Sequence, residues 1–416
     1  MKAFIFENKL RLPNHQDMTK KCAPLSITPK AGALLRFYAP QCDNASAIHT
    51  VGVGDRVRIG QTIVKTEAWS AVDVYASVSG TVREITQAVS SKGDRVQAIV
   101  IESDGRMEES PSIALADPTT LTREKFVEII KEAGIVELDG TGIPAHVKLT
   151  SEEWGEIEYI LINGAERDQY HTNKTCCMLT ESHAIKTSLE IMLRLYPNVR
   201  ITFALAAHQK NLIKQYKERF REIPRVSIAA KAVNYPSHVS TIAMDVLTVA
   251  AIGKAICHGE RLTRRLLTLS GTALENPGNY DVCIGMSYRD IIRTIGGFKA
   301  PPKKIILGDA MTGQSLFHLD LPLTKTDTGL LAFSKDEVPI CEEKPCIRCS
   351  RCVTYCPMGL MPYELNALFL VSDFEGFETG GGSECAECGS CSAVCPAKRH
   401  LAQSIRSAKK SVGLKL

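Results

Sequence analysis

The chain has 416 residues, 44% of them hydrophobic and 23% charged, which is an ordinary composition for a folded protein of several domains. Lysine plus arginine number 50 and aspartate plus glutamate 46, and a net charge of +4 gives no ground for a nucleic-acid partner. No stretch approaches the roughly 18 consecutive apolar residues of a membrane span, and no secretory signal opens the sequence. We therefore expect no transmembrane segment. Cysteines scattered without metal spacing are typical of a reducing compartment, so we expect a cytoplasmic protein, free or peripheral to the cytoplasmic face of the membrane.

Short β-branched runs separated by Gly-Asp and Ser-Gly turns fill residues 51–85. The pattern predicts a small β-sandwich. Its segments "GDRVRIGQ" and "ASVSGTVREI" resemble the two halves of a biotinyl/lipoyl hammerhead, whose carrier members present a lysine at a hairpin tip. Here "AWSAVDVY" lies between the halves and supplies no lysine. We therefore assign residues 1–112 to a barrel-sandwich module with a structural role.

Helices alternate with strands over residues 113–262. "LTREKFVEIIKEAGIVE" has helical periodicity, "IEYILINGAE" is typical of a buried strand, and helix, strand and helix follow in "SHAIKTSLEIMLRLYP", "RITFALAA" and "QKNLIKQYKERF". This alternation predicts a mostly parallel, Rossmann-like sheet. Ligands of such sheets bind at the carboxyl ends of the strands, so residues 163–170, "NGAERDQY", form a candidate site.

Residues 263–338 predict a compact α+β module. Short strands and glycine turns in "RRLLTLSGTALENPGNYDVCIG" precede one helix, "SYRDIIRTIGGF", and the strand "KKIILGD".

Residues 339–416 form the last predicted domain, in which "GLMPYELNALFLVSDFE" has the spacing of an amphipathic helix and "TGGGS" is typical of a flexible return.

Eight cysteines of this last domain lie in two runs with the same spacing. "CIRCSRCVTYCP" begins at Cys346 and "CAECGSCSAVCP" at Cys385. In ferredoxins with two [4Fe–4S] clusters, the fourth cysteine of each run ligates the other cluster, and a proline follows it. We therefore predict two clusters, the first held by Cys346, Cys349, Cys352 and Cys395, and the second by Cys385, Cys388, Cys391 and Cys356.

Other uses of these cysteines fit less well. A structural zinc site uses two CxxC pairs and leaves the third cysteine and the CxxxCP ending without a role. A disulfide scaffold is typical of small secreted chains. Adjacent Cys176 and Cys177 lack CxxC spacing, although a redox role stays open for them. We expect the remaining cysteines to be small buried residues: Cys22, Cys42, Cys176, Cys177, Cys257, Cys283 and Cys341.

In their order along nearly the whole chain, these segments resemble the RnfC family, which supplies one subunit of the Rnf ion-pumping complex, and its relative PduS from bacterial microcompartments. The segments are "VGVGDRVRIGQ" with "ASVSGTV", "GIPAHVKL", "INGAE", "SGTALENPGNY" with "GGF", and the double CxxCxxCxxxCP. The resemblance implies a barrel-sandwich hybrid, a Rossmann-like domain of the complex I flavoprotein type, a soluble-ligand-binding β-grasp (SLBB) module and a ferredoxin-like α+β domain. It also implies electron flow from NADH through FMN to two [4Fe–4S] clusters and a partner.

The loop that binds flavin in this family is altered here. It is approximately GLGGAGFP in the family, where glycines let backbone N–H groups approach the flavin. Residues 137–144 are "ELDGTGIP", so Glu137 and Asp139 replace glycines. A carboxylate about 5 Å from a phosphate oxygen costs on the order of 3 kcal/mol at an effective dielectric near 20.

The next family element, NGAECEP, becomes "NGAERDQ", with Arg167 new. The retained candidates for binding flavin or NADH are Gly140, Gly142, Asn163 and Glu166. Because of the two carboxylates, we expect little or no FMN and poor NADH oxidation.

Three hypotheses of function follow. The first is an electron-transfer protein that relays electrons through its two clusters between a redox donor and a partner, which would be a reductase, a ferredoxin or flavoprotein, or the Rnf-type membrane complex. The family includes an Rnf-like carrier that passes electrons to proline reductase, and the resemblance suggests a similar role. The second is an FMN-dependent NADH:acceptor oxidoreductase subunit. The third is a docking or assembly subunit whose clusters are only structural.

Basic residues adjoin the cysteine runs. Arg348 and Arg351 lie within the first run, and Lys398 and Arg399 follow the second. Basic side chains beside cluster loops attract an acidic partner and accelerate its encounter in a salt-dependent way. We therefore expect these four residues to be candidates for docking a redox partner, with ordinary solvated loop charges as the alternative.

Overall fold

The computed structural model describes residues 15–19, 23–39, 47–115, 117–150, 157–166, 168–230, 241–335 and 342–413. They belong to two compact units. The first comprises His15–Asp309 and Gln314–Ser334, and the second Ala310–Gly313 and Lys335–Leu416. Within the described ranges, we find no helix that is both long enough and apolar enough to cross a membrane.

The first unit opens with a 3₁₀ turn at Gln16–Thr19, a short strand β1 (Leu25–Ile27) and seven further strands. These are β2 (Leu34–Tyr38), β3 (Ala47–His49), β4 (Arg56–Val57), β5 (Thr62–Thr66), β6 (Val74–Tyr75), β7 (Gly80–Val89) and β8 (Arg95–Ser103). They form one sheet in the order β2-β8-β7-β4 and another in the order β3-β5-β6. Alternate residues of β2 are buried, as expected for a strand with one face on a core.

A parallel α/β region follows. Its elements are α1 (Arg123–Glu132), α2 (Ala145–Thr150), β9 (Tyr159–Asn163), α3 (Asn173–Thr180), α4 (Ser182–Leu195), β10 (Arg200–Ala204), α5 (Lys210–Arg219), β11 (Val226–Ala229), β12 (Thr241–Asp245) and α6 (Val246–His258). The strands pair in parallel in the order β11-β10-β9-β12. Thr122 caps α1, because its side chain accepts a hydrogen bond from the backbone N–H of Lys125.

The last part of the first unit contains β13 (Arg264–Ser270), β14 (Gly278–Cys283), α7 (Tyr288–Thr294), β15 (Lys304–Leu307), β16 (Gln314–Ser315) and β17 (Gly329–Phe333). They form a mixed six-stranded sheet in the order β1-β14-β13-β17-β15-β16. Strand β1 therefore belongs to a sheet whose other strands come more than two hundred residues later. One buried core joins this sheet to the N-terminal strands, so the predicted division between residues 1–112 and 263–338 does not separate two cores.

The second unit is helical. It contains α8 (Arg351–Thr354), α9 (Pro362–Leu370), α10 (Phe374–Thr379), a 3₁₀ turn at Gly382–Glu384, α11 (Ser390–Ala393) and α12 (Leu401–Ser411). The sequence predicted an α+β domain here, but the described residues of this unit form helices and no strand. The single amphipathic helix predicted between the cysteine runs is two helices, because Asp373 caps a new helix by accepting a hydrogen bond from the N–H of Gly376.

Candidate iron–sulfur centres and nucleotide site

The first cysteine run and one distant cysteine surround a common cavity. Cys346, Cys349, Cys352 and Cys395 all line it, and it encloses about 360 Å³ with its open mouth included. Cys346 and Cys349 are exposed, whereas Cys352 is buried at the start of α8. The cavity thus contains the four thiols that the sequence assigned to the first cluster.

A second cavity of about 350 Å³ is lined by three cysteines of the second run and one of the first. Cys385, Cys388 and Cys391 line it together with Cys356, which comes from the other run. Burial raises the pKa of the Cys385 thiol to about 11 and that of Cys391 to about 12. A bound cation would be needed to keep such thiols deprotonated.

The two cysteine loops share one backbone conformation. Arg348 and Glu387, each two residues after the first cysteine of its run, both have a φ of 52°. The N–H of each donates to the sulfur of that first cysteine over 3.4 Å. Four soft sulfur ligands per cavity, presented by equivalent loops, fit a pair of [4Fe–4S] clusters. Each such group would supply a one-electron redox centre held by its cysteines.

The four basic residues predicted to dock a partner do not all have the same surroundings. Arg348, Arg351 and Lys398 are exposed. Arg399 instead donates two hydrogen bonds to the Asn366 side chain, over 2.8 and 3.2 Å. Of the four predicted docking residues, Arg399 therefore has a structural contact of its own.

Glu387 of the second loop is held by cations of α12. Its carboxylate lies 2.8 Å from Arg406 Nε and 3.0 Å from Lys409 Nζ. Lys409 also donates to the carbonyl of Cys385 over 3.0 Å. Helix α12 thereby anchors the second cysteine loop.

Of the nucleotide-site candidates, Asn163 ends β9 and Glu166 follows it, whereas Gly140 and Gly142 lie in the loop between α1 and α2. Asn163 and Asp245 are directly paired in the parallel register. Gly140 and Gly142 adopt φ values of +100° and +71°, which residues with a Cβ rarely tolerate. A Cβ on Gly142 would also approach the Thr326 side chain to 2.6 Å. The two retained glycines are thus required by the loop's own conformation.

Glu137 does not project outward from this loop. Its side chain is 0% exposed and accepts hydrogen bonds from the N–H of Asp245, over 3.1 Å, and from Thr248 Oγ1, over 3.0 Å. Lys148 Nζ lies 3.2 Å from its other carboxylate oxygen. Burial raises the pKa of Glu137 to about 7, despite the opposing effect of Lys148.

Asp139 is bound locally. It accepts hydrogen bonds from the N–H and hydroxyl of Thr141, over 2.9 and 2.6 Å. Burial would raise its pKa, but the two bonds from Thr141 hold the pKa below its ordinary value. The two carboxylates that replace glycines therefore differ in their partners and in their environment.

The second predicted element is held by neighbouring backbone. The Asn163 side chain accepts a hydrogen bond from the N–H of Ala165 over 3.2 Å. Glu166 accepts one from the N–H of Thr175 over 2.8 Å, and burial raises its pKa. Arg167 lies outside the described residues.

Sequence reasoning missed several polar residues that converge here, namely Lys148, Lys174, Asp245 and Thr248. Lys174 Nζ lies 2.6 Å from Asp245 Oδ2, and both side chains are buried. The segment "MDVLT" carried a usable signal, because aspartate directly before an apolar run is a helix-capping residue. The two ammonium groups that could bind a flavin phosphate, those of Lys148 and Lys174, are each paired with a carboxylate of this chain.

Of the other cysteines, Cys176, Cys177 and Cys283 are buried, and Cys257 is half-buried. Burial raises the pKa of Cys177 well above its ordinary value, which favours an inert thiol. The predicted positions Cys22, Cys42 and Cys341 lie outside the described residues.

Three protein families match successive parts of the chain. The RnfC barrel sandwich hybrid domain matches residues 4–106, the Nuo51 FMN-binding domain residues 130–255, and the 4Fe-4S dicluster domain residues 345–399. The multidomain layout and the presence of an iron–sulfur domain are confirmed. The match to an FMN-binding domain does not support the expectation that the chain lacks FMN.

Three related proteins, each the C subunit of an ion-translocating complex, match over most of the chain. That of the proton-translocating ferredoxin:NAD(+) oxidoreductase complex of Clostridium ljungdahlii is 32% identical over 386 residues, covering 85% of this chain and 83% of that protein. Its counterpart in the Na(+)-translocating complex of Acetobacterium woodii is 29% identical, covering 86% of each. The one from the ion-translocating oxidoreductase complex of Rhodobacter capsulatus is 29% identical, covering 90% and 77%. The chain therefore belongs to the RnfC family of the Rnf-type ion-translocating oxidoreductase complexes, as its sequence motifs predicted.

Proposed function

We propose that this protein is an electron-transfer subunit that relays electrons through two [4Fe–4S] clusters between a redox donor and a partner reductase or membrane complex. The observation that carries the proposal is the sorting of eight cysteines into two cavities, each with three cysteines of one run and one of the other. The ligands are Cys346, Cys349, Cys352 and Cys395 for the first cluster, and Cys385, Cys388, Cys391 and Cys356 for the second.

Anaerobic purification tests this proposal. We expect about eight iron and eight sulfide per chain, broad visible absorbance that bleaches on reduction, and two one-electron steps in a redox titration. If the protein contains the iron but a low-potential reductant does not bleach its absorbance, the clusters are structural and a docking subunit is favoured. Half of the expected iron would contradict the two-cluster relay.

A second candidate is an FMN-dependent NADH:acceptor oxidoreductase subunit. It is favoured by the match of residues 130–255 to an FMN-binding domain and by two lysines near the end of β12, Lys148 of α2 and Lys174 of α3, which pair with Glu137 and Asp245. Gly140, Gly142, Asn163 and Glu166 would line such a site. Stoichiometric FMN in an acid extract, with NADH bleaching the cluster absorbance within seconds, would establish this activity. If the extract contains no flavin, an electron donor other than NADH acting through FMN must reduce the clusters.

The remaining modules fit a docking scaffold. The mixed sheet around α7 is consistent with the β-grasp module expected from the resemblance, and the parallel sheet with the Rossmann-like domain.

The three relatives described above are subunits of ion-translocating complexes, so the partners proposed here are the other subunits of such a complex. This protein would then be peripheral at the cytoplasmic face of the membrane. Retention of the protein on vesicles that contain those subunits, and its loss from vesicles without them, tests this location.

A further inference from the structure

The carboxylate of Glu137 occupies an anion-binding position. Two donors come from the start of α6, namely the N–H of Asp245, which precedes the helix, and the hydroxyl of Thr248 in its first turn. The third group is the ammonium of Lys148 on α2, which forms an ion pair with the other carboxylate oxygen and donates a hydrogen bond to the carbonyl of Ala243. A helix N-terminus, a hydroxyl and a lysine are the donors that proteins use to hold phosphate. In this protein they hold a carboxylate of the same chain.

We infer that Glu137 is an internal anion that competes with the flavin phosphate for these donors, so that a phosphate monoester binds when Glu137 is protonated or displaced. This inference rests on the second candidate function, in which the site takes FMN. It assigns the competition to one carboxylate, although two replace glycines in the loop.

Burial distinguishes the two carboxylates. Glu137 has no exposed surface, and the donors that it uses are lost to any other anion. Asp139 is half-buried, and its hydrogen bonds come from Thr141, two residues along the same loop. Removing the charge of Asp139 would therefore break neither of the hydrogen bonds that hold Glu137, although Lys148 attracts both carboxylates.

The charges facing Glu137 also limit what the site accepts. Lys148 of α2 attracts its carboxylate, while Asp139 of the same loop and Asp245 at the end of β12 repel it. Lys174 of α3 is already paired with Asp245. A phosphate added beside an ionised Glu137 would meet the negative charge of three carboxylates, which only the two lysines oppose. With Glu137 neutral, Lys148 is released for the phosphate.

The test measures the binding of FMN and of riboflavin, which lacks the phosphate, to flavin-free protein with intact clusters. Flavin fluorescence is followed at pH 6 and pH 8 in wild type, Glu137→Gln and the matched control Asp139→Asn. Because a phosphate monoester itself titrates near pH 6, Glu137→Gln supplies the baseline for the ligand's own pH dependence. Relative to that variant, we expect wild-type affinity for FMN to fall about tenfold from pH 6 to pH 8, as a group with a pKa of about 7 ionises.

At pH 8, Glu137→Gln should therefore bind FMN about tenfold more tightly than wild type, whereas Asp139→Asn should change the affinity less than twofold. Riboflavin affinity should not respond to Glu137→Gln. Equal gains for FMN and riboflavin, equal effects of the two variants, or failure of every variant to bind FMN would each overturn the inference.

A measurement on the wild-type protein guards against misfolding of the variant. Inorganic phosphate should raise its thermal midpoint more at pH 6 than at pH 8, and equal effects at both pH values would count against Glu137. The iron and sulfide content of the same samples decides the electron-relay proposal separately, so its failure is distinguishable from failure here.

Discussion

The ammonium nitrogen of Lys174 lies 2.6 Å from a carboxylate oxygen of Asp245, and both side chains are buried. Lys174 is the second residue of α3, and Asp245 ends β12, so the ion pair ties a helix to the edge strand of the parallel sheet. The other oxygen of Asp245 caps α6 by accepting a hydrogen bond from the N–H of Leu247. A buried pair of this kind is stable only while both partners remain, because either charge alone is expensive to bury.

Replacing Lys174 by methionine should destabilise the first unit by about 3 kcal/mol, since Asp245 would be left as an uncompensated buried charge. The double variant Lys174→Met with Asp245→Asn should lose less than the sum of the single changes. Denaturant unfolding followed by tryptophan fluorescence measures both. Lys186→Met is the control, because its pair with Glu190 is half-exposed on α4 and should contribute less than about 0.5 kcal/mol. Additive losses would show that the pair has no coupling.

Replacing Cys356 by alanine should damage the cluster held mainly by the second cysteine run, since Cys356 lines the cavity of Cys385, Cys388 and Cys391. We expect iron to fall from about eight to about four per chain. The electron paramagnetic resonance spectrum of the remaining cluster should match that of Cys385→Ala. Cys283→Ala, at a buried position in the first unit, should keep all the iron. A spectrum like that of Cys346→Ala would show that the ligand sets are not crossed.

Replacing Glu387 by glutamine should loosen the second cysteine loop, because Glu387 is clamped by Arg406 and Lys409 of α12. We expect a chelator to remove the iron of this loop several-fold faster than in wild type, with the other cluster unaffected. Arg348→Gln is the matched control, since Arg348 occupies the equivalent position of the first loop with the same φ and is exposed. Equal acceleration in both variants would remove the role assigned to the α12 contacts.

Reversing the charges of Arg348 and Arg351 together should slow electron transfer to an acidic acceptor about tenfold at low ionic strength, because both side chains are exposed beside the first cavity. In stopped-flow measurements, the electron-transfer rate of the variant should be nearly the same at low and at high salt. Arg399→Gln should instead lower stability, since Arg399 is bound to Asn366. Rates that do not depend on salt in the unaltered protein would exclude electrostatic docking here.

Stability should depend on pH through Glu137. Its pKa is about 7 in the folded protein against an ordinary 4.5, so the folded state binds more protons between these values. Stability should therefore fall as pH rises from about 4.5 to 7, by at most about 3 kcal/mol. Glu137→Gln should remove this fall. The same slope of unfolding free energy against pH in both proteins would assign the titration to another group.

Much of this protein follows from local sequence patterns. The helical periodicity around Phe126, Ile129 and Ile130 predicts α1, and all three side chains are buried in it. The alternation of helix and strand predicts the parallel sheet, because neighbouring strands must be joined by crossover helices. The cysteine spacing predicts both loops, since spacing alone fixes which thiols one short segment can bring together.

The tertiary structure alone decided which distant groups meet. The sequence shows that Glu137 and Asp139 stand in the altered loop, but not that Glu137 turns inward to Lys148 and Thr248 while Asp139 binds Thr141. It likewise does not show that β1 pairs with β14. Spacing and periodicity act over a few residues along the chain, whereas the direction of a buried carboxylate depends on which partners the whole fold places around it.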